Sequence, residues 1–152
     1  MEILLIEGEQ RTAAFLARGL SAEGFGVVGA AEGRSGLERV LDHRFDLVLL
    51  GLGSDGHMAS LFPGSPQLKV RDKRATDGPA GLEPFVHRVT MTLPTIRSAR
   101  RIAFLVTGED KADAVAAAFG GDVSPDVPAS LTRLSQVPVE VYLDEAAAAK
   151  IE

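Results

Sequence analysis

The sequence predicts an α/β fold, a three-layer sandwich built on a parallel sheet. Three observations carry that reading. Short apolar runs stand at 2–7, 25–31, 45–50, 101–108 and 137–144. Stretches with helical spacing of apolar residues separate most of them. The first fifty residues alternate strand, helix, strand, helix, strand, which is the rhythm of parallel strands joined by crossovers.

The elements follow in order. "EILLIE" (2–7) is a short apolar run of the kind a buried strand needs. Ala13, Leu16, Ala17 and Leu20 fall at i, i+3, i+4, i+7, one face of a helix, and Gly24 is its expected C-cap. "FGVVGAA" (25–31) reads as a second strand, Leu37, Val40 and Leu41 mark a short second helix, and "FDLVLL" (45–50) is the third strand. A short helix is expected over 54–62, starting at Ser54 or Asp55, with Met58, Leu61 and Phe62 packing it onto the sheet. Pro63, Pro66, Pro79 and Pro84 make 63–85 mostly loop, with "LKV" (68–70) as a brief strand. "RVTMTL" (88–93) alternates Val89, Met91 and Leu93 with Arg88, Thr90 and Thr92, so it buries one face. A small β-hairpin insert is therefore expected over about residues 68–93. "RIAFLVTG" (101–108) is a buried strand. Ala112, Val115, Ala116 and Phe119 form a helical face that ends at Gly120-Gly121. "VPVEVYLD" (137–144) is the last strand, and an Ala-rich helix closes the chain. With no repeat and no linker, residues 1–152 read as one α/β domain.

Composition narrows the function classes. A chain of 152 residues, 45% hydrophobic and 24% charged, has the makings of a globular domain with a real core. The net charge of -5 disfavours nucleic acid as a partner, and Arg97, Arg100 and Arg101 read as a solvated face. Cysteine is absent, which excludes disulfides, thiolate metal sites and Cys nucleophiles and suits a cytoplasmic location. No apolar run approaches the roughly 18–20 residues of a membrane span. "MEILLIEGEQ" lacks a basic start, so no signal peptide is expected. The sequence thus points to no membrane partner, no metal and no cofactor, and oligomeric state is not legible in it.

The chemistry concentrates in "GLGSDGHMASLFP" (51–63), a Gly-rich turn that delivers Asp55 and His57 to the end of the third strand. Histidine is the side chain best suited to exchange protons near neutral pH. Gly51 and Gly53 would let backbone N–H groups approach a substrate, and a helix beginning here would favour an anion. His43 and His87 lack such a setting and read as solvated.

Two family resemblances meet at the third strand. "EILLIEGEQRTAAFLARGLSAEGFGVVGAAEGRSGLERVLDHRFDLVLL" resembles the opening half of the receiver domain of bacterial response regulators. "FDLVLLGLGSDGHMASLFPGSP", "HRVTMTLPTIRSARRIAFLVTGEDKADAVAAAFGG" and "VPVEVYLDEAAAA" resemble, in order, the C-terminal half of 6-phosphogluconolactonases, enzymes of the pentose phosphate pathway. Together they imply a flavodoxin-like or Rossmann-like sheet of order 2-1-3-4-5. They also imply a chimera, engineered or recombined, joined inside "FDLVLL".

The receiver half departs from its pattern. Gly8 stands where an acidic metal ligand is expected and Gly51 where the phosphate acceptor is expected, so Glu7 and Glu9 read as a solvated turn. The lactonase resemblance implies His57 as the base that activates water, with Asp55 orienting its ring or capping the helix. It places Arg88 and Lys111 near the sugar phosphate, with Thr107 and Gly108 shaping the turn before Lys111. The family's "TGG" and "DER" motifs are missing, and the two carboxylates of "EGEQ" would repel phosphate. The leading expectation is a chimeric scaffold with a remnant lactonase half-site and little activity, binding phosphate or a phosphorylated sugar weakly. The alternatives are a weak 6-phosphogluconolactonase or esterase working through His57, and a pseudo-receiver interaction module without a phosphoacceptor.

Overall fold

Residues 2–6, 10–30, 46–83 and 85–151 are described by a computed structural model. Contacts divide the chain into two units, Met1–Arg44 and Phe45–Glu152. In the first, strand β1 (Glu2–Ile6) leads to helix α1 (Gln10–Ala22) and strand β2 (Gly26–Ala30). The two strands pair in parallel, with Glu2 opposite Gly26 and Ile6 opposite Ala30. The helix turns Leu16, Ala17 and Leu20 inward and leaves Phe15 exposed. Gly24 ends it as expected: its φ of 83° suits a residue without a Cβ, and Phe25 N–H closes the turn on Leu20 C=O at 3.1 Å. The expected helix around Leu37–Leu41, together with Glu7, Gly8, Glu9 and His43, lies outside the described residues.

The second unit is built on three parallel strands. β3 (Leu47–Leu50), β6 (Arg101–Val106) and β7 (Val139–Leu143) lie in the order β3-β6-β7. Leu50 stands opposite Phe104, and Val106 opposite Leu143. Between β3 and β6 the chain makes an antiparallel hairpin of β4 (Ala75–Pro79) and β5 (His87–Met91), inside the expected 68–93. The first unit thus holds the parallel pair β1-β2 and the second the parallel sheet β3-β6-β7, an α/β fold with parallel strands. Val48, Leu50, Ile102, Phe104 and Val106 form the buried face of the second unit, with Met58, Leu61 and Ile96 packed into the same core. Leu49 and Leu105 are exposed while Ala103 is buried, so neither β3 nor β6 is buried throughout.

Helix α2 (Leu93–Arg97) follows the hairpin, and Pro94 occupies its first turn, where a missing N–H costs nothing. Thr92 caps it, and Thr92 Oγ1 also donates to Lys73 C=O at 2.8 Å, tying the helix start to the segment just before β4. Helix α3 (Ala112–Val115) runs on as a π-helical turn through Gly120, with Gly121 N–H donating to Ala116 C=O at 2.9 Å. The wider turn moves the fully buried position to Ala118 and leaves Phe119 to meet Phe104 edge-on, 5.1 Å between ring centres.

Three expected elements take other forms. "LKV" is not a strand: Pro66–Lys69 is a 3-10 turn, in which Val70 N–H reaches Gln67 C=O. Residues 54–62 are consecutive turns and not a helix, because Gly56 (φ 81°) and Ala59 (φ 51°) adopt left-handed backbone that no α-helix admits. Met58, Leu61 and Phe62 are buried as expected, but they pack a turn. The Ala-rich close over 145–150 is also a run of turns. Among the described residues no helix is long and apolar enough to cross a membrane.

Candidate active site

Strands β3, β6 and β7 are parallel neighbours, so the turns that follow them share one edge of the sheet. That carboxyl edge is where open α/β sheets bind ligands. The first of these turns holds His57. Asp55 Oδ1 lies 2.6 Å from His57 Nδ1 and also accepts the His57 backbone N–H at 3.1 Å. One carboxylate oxygen thereby grips both the ring and the main chain of the same residue. Gly53 N–H donates to His57 C=O and Gly56 N–H to Gly53 C=O, each at 2.9 Å, closing the loop.

Neither glycine has room for a Cβ with its neighbours in place. A Cβ on Gly53 would lie 2.0 Å from His57 Nδ1 and 2.7 Å from Asp55 Oδ1. Gly56 has a positive φ, and a Cβ there would meet Val127 Cγ1 at 2.8 Å. The Phe62 ring sits 4.4 Å from the imidazole, centre to centre, and walls its other side. His57 is half-buried: held on three sides, yet open to solvent.

The second turn follows β6. Gly108, at φ 100°, donates its N–H to both oxygens of Asp144, at 3.1 and 3.0 Å, and Asp144 follows β7. Asp144 Oδ1 also accepts Ala147 N–H at 2.8 Å. Thr107 is exposed beside this turn. Lys111 pairs with Asp110, Nζ to Oδ2 at 3.1 Å. Arg88 lies on β5, half-buried, with its buried Nε unpartnered.

The structure thus brings Asp55 and His57 together and sets Gly51, Gly53, Thr107, Gly108 and Lys111 along the same sheet edge; Arg88 comes from the hairpin. Two details differ from the sequence reading. The Gly53 amide is engaged by His57 C=O, so this glycine makes room for the imidazole. No helix starts at Ser54 or Asp55, so the anion site expected of a helix start is absent there. Phe62, Gly56 and Asp144 escaped the sequence reading as parts of the site. Asp144 had a visible signal: an acid between a strand and an Ala run is a capping pattern. His87 is exposed as expected, 3.7 Å from Asp77. Among the described residues no three His, Asp or Glu converge to hold a metal.

Comparison with known proteins decides the lineage. The family described as glucosamine-6-phosphate isomerases/6-phosphogluconolactonase matches residues 23–141. The chain belongs to this family. The match starts inside the first unit and covers the third strand, which overturns the chimera: no receiver domain is joined here. The designed-scaffold and pseudo-receiver readings fall with it. The error has a physical origin, because any parallel α/β sheet can open with the same alternation of apolar runs and amphipathic helices. "FDLVLL" is a buried strand in either setting.

Relatives within the family are lactonases by name. The chain is 43% identical over 116 residues to a probable 6-phosphogluconolactonase 1 of Oryza sativa, covering 72% of this chain and 38% of that protein. It is 39% identical over 104 residues to the human 6-phosphogluconolactonase, covering 68% and 40%. The chain thus spans about two fifths of the length of the curated relatives it matches. A solved 6-phosphogluconolactonase from Trypanosoma brucei superposes with a TM-score of 0.67 at 29% identity, over 79% of this chain and 52% of that one. A monomeric glucosamine-6-phosphate deaminase of the NagB superfamily superposes over 98% of this chain and 87% of its own, with a TM-score of 0.70. At 21% identity that likeness shows the fold alone.

Proposed function

We propose that this chain carries the chemistry of a 6-phosphogluconolactonase, hydrolysis of the ring ester of a phosphorylated sugar lactone. The observation that carries the proposal is the Asp55–His57 pair, held in a loop that leaves no room for a Cβ at position 53 beside the placed imidazole. A carboxylate at Nδ1 holds the ring proton on that nitrogen and leaves the Nε2 lone pair to act as base. His57 Nε2 takes a proton from water, and the water oxygen bonds to the lactone carbonyl carbon. When the ring C–O bond breaks, His57 returns the proton to the departing ring oxygen. Water has then been added across the ester, giving the open acid.

Arg88 and Lys111 supply positive charge for the phosphate, with Arg88 suited to two-pronged contact with phosphate oxygens. The curated relatives named as lactonases are 39–44% identical, and among solved structures the Trypanosoma brucei lactonase is 29% identical against 21% for the deaminase, which favours this reaction over amino-sugar isomerisation. The test is hydrolysis of 6-phosphogluconolactone by wild type and His57→Ala. Loss of a general base lowers turnover by about 10²–10⁴-fold. Equal rates for the two proteins, above the uncatalysed rate, would remove His57 from the mechanism.

A further inference from the structure

Two buried polar atoms of complementary kind are unpaired at the β4–β5 hairpin, one from Gln67 in the 3-10 turn Pro66–Lys69 and one from Arg88 on β5. Gly78 stands opposite Arg88 in the antiparallel register. Residues directly opposed on antiparallel strands project to the same face, their Cβ atoms about 4.5–5.5 Å apart. Gly78 has no Cβ, and the Gln67 side chain fills the vacant space: a Cβ there would lie 1.5 Å from Gln67 Nε2 and 2.7 Å from its Cδ. The Gln67 carboxamide therefore lies on the face of the hairpin that carries the Arg88 side chain. Gln67 is only 4% exposed, and its Oε1 has no hydrogen-bond partner. The buried Nε of Arg88 has none either. The first is an acceptor and the second a donor.

This face of the hairpin is turned toward the catalytic loop. Thr90 lies two residues along β5 from Arg88, hence on the same side. Its Oγ1 accepts Ser60 N–H at 3.1 Å, three residues beyond His57. An unpaired oxygen on this buried carboxamide is destabilising as it stands, so the acceptor is available to a donor that comes within reach.

We infer that Gln67 is a positioning residue for Arg88. Its carboxamide oxygen accepts the Arg88 Nε–H when a phosphate engages the guanidinium. Holding Nε fixes the plane of the guanidinium and aims its two terminal nitrogens at the phosphate oxygens. The inference rests on the reading that Arg88 meets the substrate phosphate.

The test is binding of 6-phosphogluconate and of phosphate-free gluconate, by calorimetry or NMR titration, to wild type, Gln67→Leu, Gln67→Glu and Arg88→Ala. Gln67→Leu keeps bulk but removes the acceptor, and should weaken 6-phosphogluconate by about tenfold, the scale of one hydrogen bond to a charged group. Gluconate binding should not follow. Gln67→Glu, which keeps an acceptor oxygen, should restore most of the affinity. In an Arg88→Ala background Gln67→Leu should add nothing.

The inference is overturned if Gln67→Leu binds 6-phosphogluconate like wild type, if gluconate weakens in parallel, or if the two losses add. It is also overturned if wild type does not prefer 6-phosphogluconate to gluconate. Should Gln67→Leu not fold, the wild-type Arg88 Nε–H resonance decides: it must shift and become protected from exchange on saturation with 6-phosphogluconate. An unmoved resonance overturns the inference. A wild type that shows the full binding pattern but hydrolyses no lactone would sink the proposed reaction and leave the positioning role standing.

Discussion

Asp55 and His57 are joined twice, ring to carboxylate at 2.6 Å and amide to the same oxygen at 3.1 Å. Rotation of the imidazole would break the first bond while the second still held Asp55 in place. The Asp55 carboxylate thus holds both the ring and the main chain of His57. Asp55→Asn keeps the shape but replaces an acceptor-only carboxylate with an amide. It should lower lactone turnover by about 10–100-fold, in the range found for the partner of a functional histidine. Steady-state kinetics on 6-phosphogluconolactone measure it; turnover equal to wild type would remove the charge of the Asp55 carboxylate from the mechanism.

Gly53→Ala tests the cradle. Its Cβ would enter the volume of the imidazole, 2.0 Å from Nδ1, so His57 must swing away from Asp55. A displacement of about 1 Å costs on the order of 10²-fold in rate. The far-ultraviolet circular dichroism should be unchanged while activity is lost, which separates displacement from unfolding.

Tyr142 offers a clean titration, because it is the only tyrosine and the chain has no tryptophan. Its hydroxyl donates to Glu140 Oε2 at 2.6 Å. That bond, followed by the negative charge of Glu140, raises the phenol above its ordinary range, against an opposing pull from Arg101. The neutral phenol is the form the fold favours. Its contribution is therefore present below the ordinary tyrosine range and lost as pH rises through the raised value. Absorbance titration should show phenolate appearing later than in the unfolded chain, and Glu140→Gln should bring it earlier. Coincident curves for the two proteins would remove Glu140 as the cause.

The chain should unfold as one cooperative domain. A two-stranded sheet with the single helix described between its strands is marginal alone, so the unit Met1–Arg44 should not outlast the rest. Urea titrations followed by Tyr142 fluorescence and by helix circular dichroism should coincide. Two separated transitions would show independent domains.

The sequence by itself determined the parallel α/β class, the main strands and the turn that carries Asp55 and His57. Strand and helix periods are short-range properties of apolar spacing, and "GSDGH" places an acid and a base two residues apart. Gly24 was legible for the same local reason. Three-dimensional packing decided the rest. Left-handed backbone at Ala59 and Gly56 unmade the helix expected at 54–62, and the contact that constrains Gly56, with Val127, comes from about seventy residues away. Asp144 reaches Gly108 across neighbouring strands, and Gln67 reaches the space above Gly78 from a separate turn. None of these pairs has a fixed spacing along the chain, because each is set by which strands lie side by side. The chimera reading failed for the complementary reason: periodicity reports that a strand is buried, and not which relatives share it.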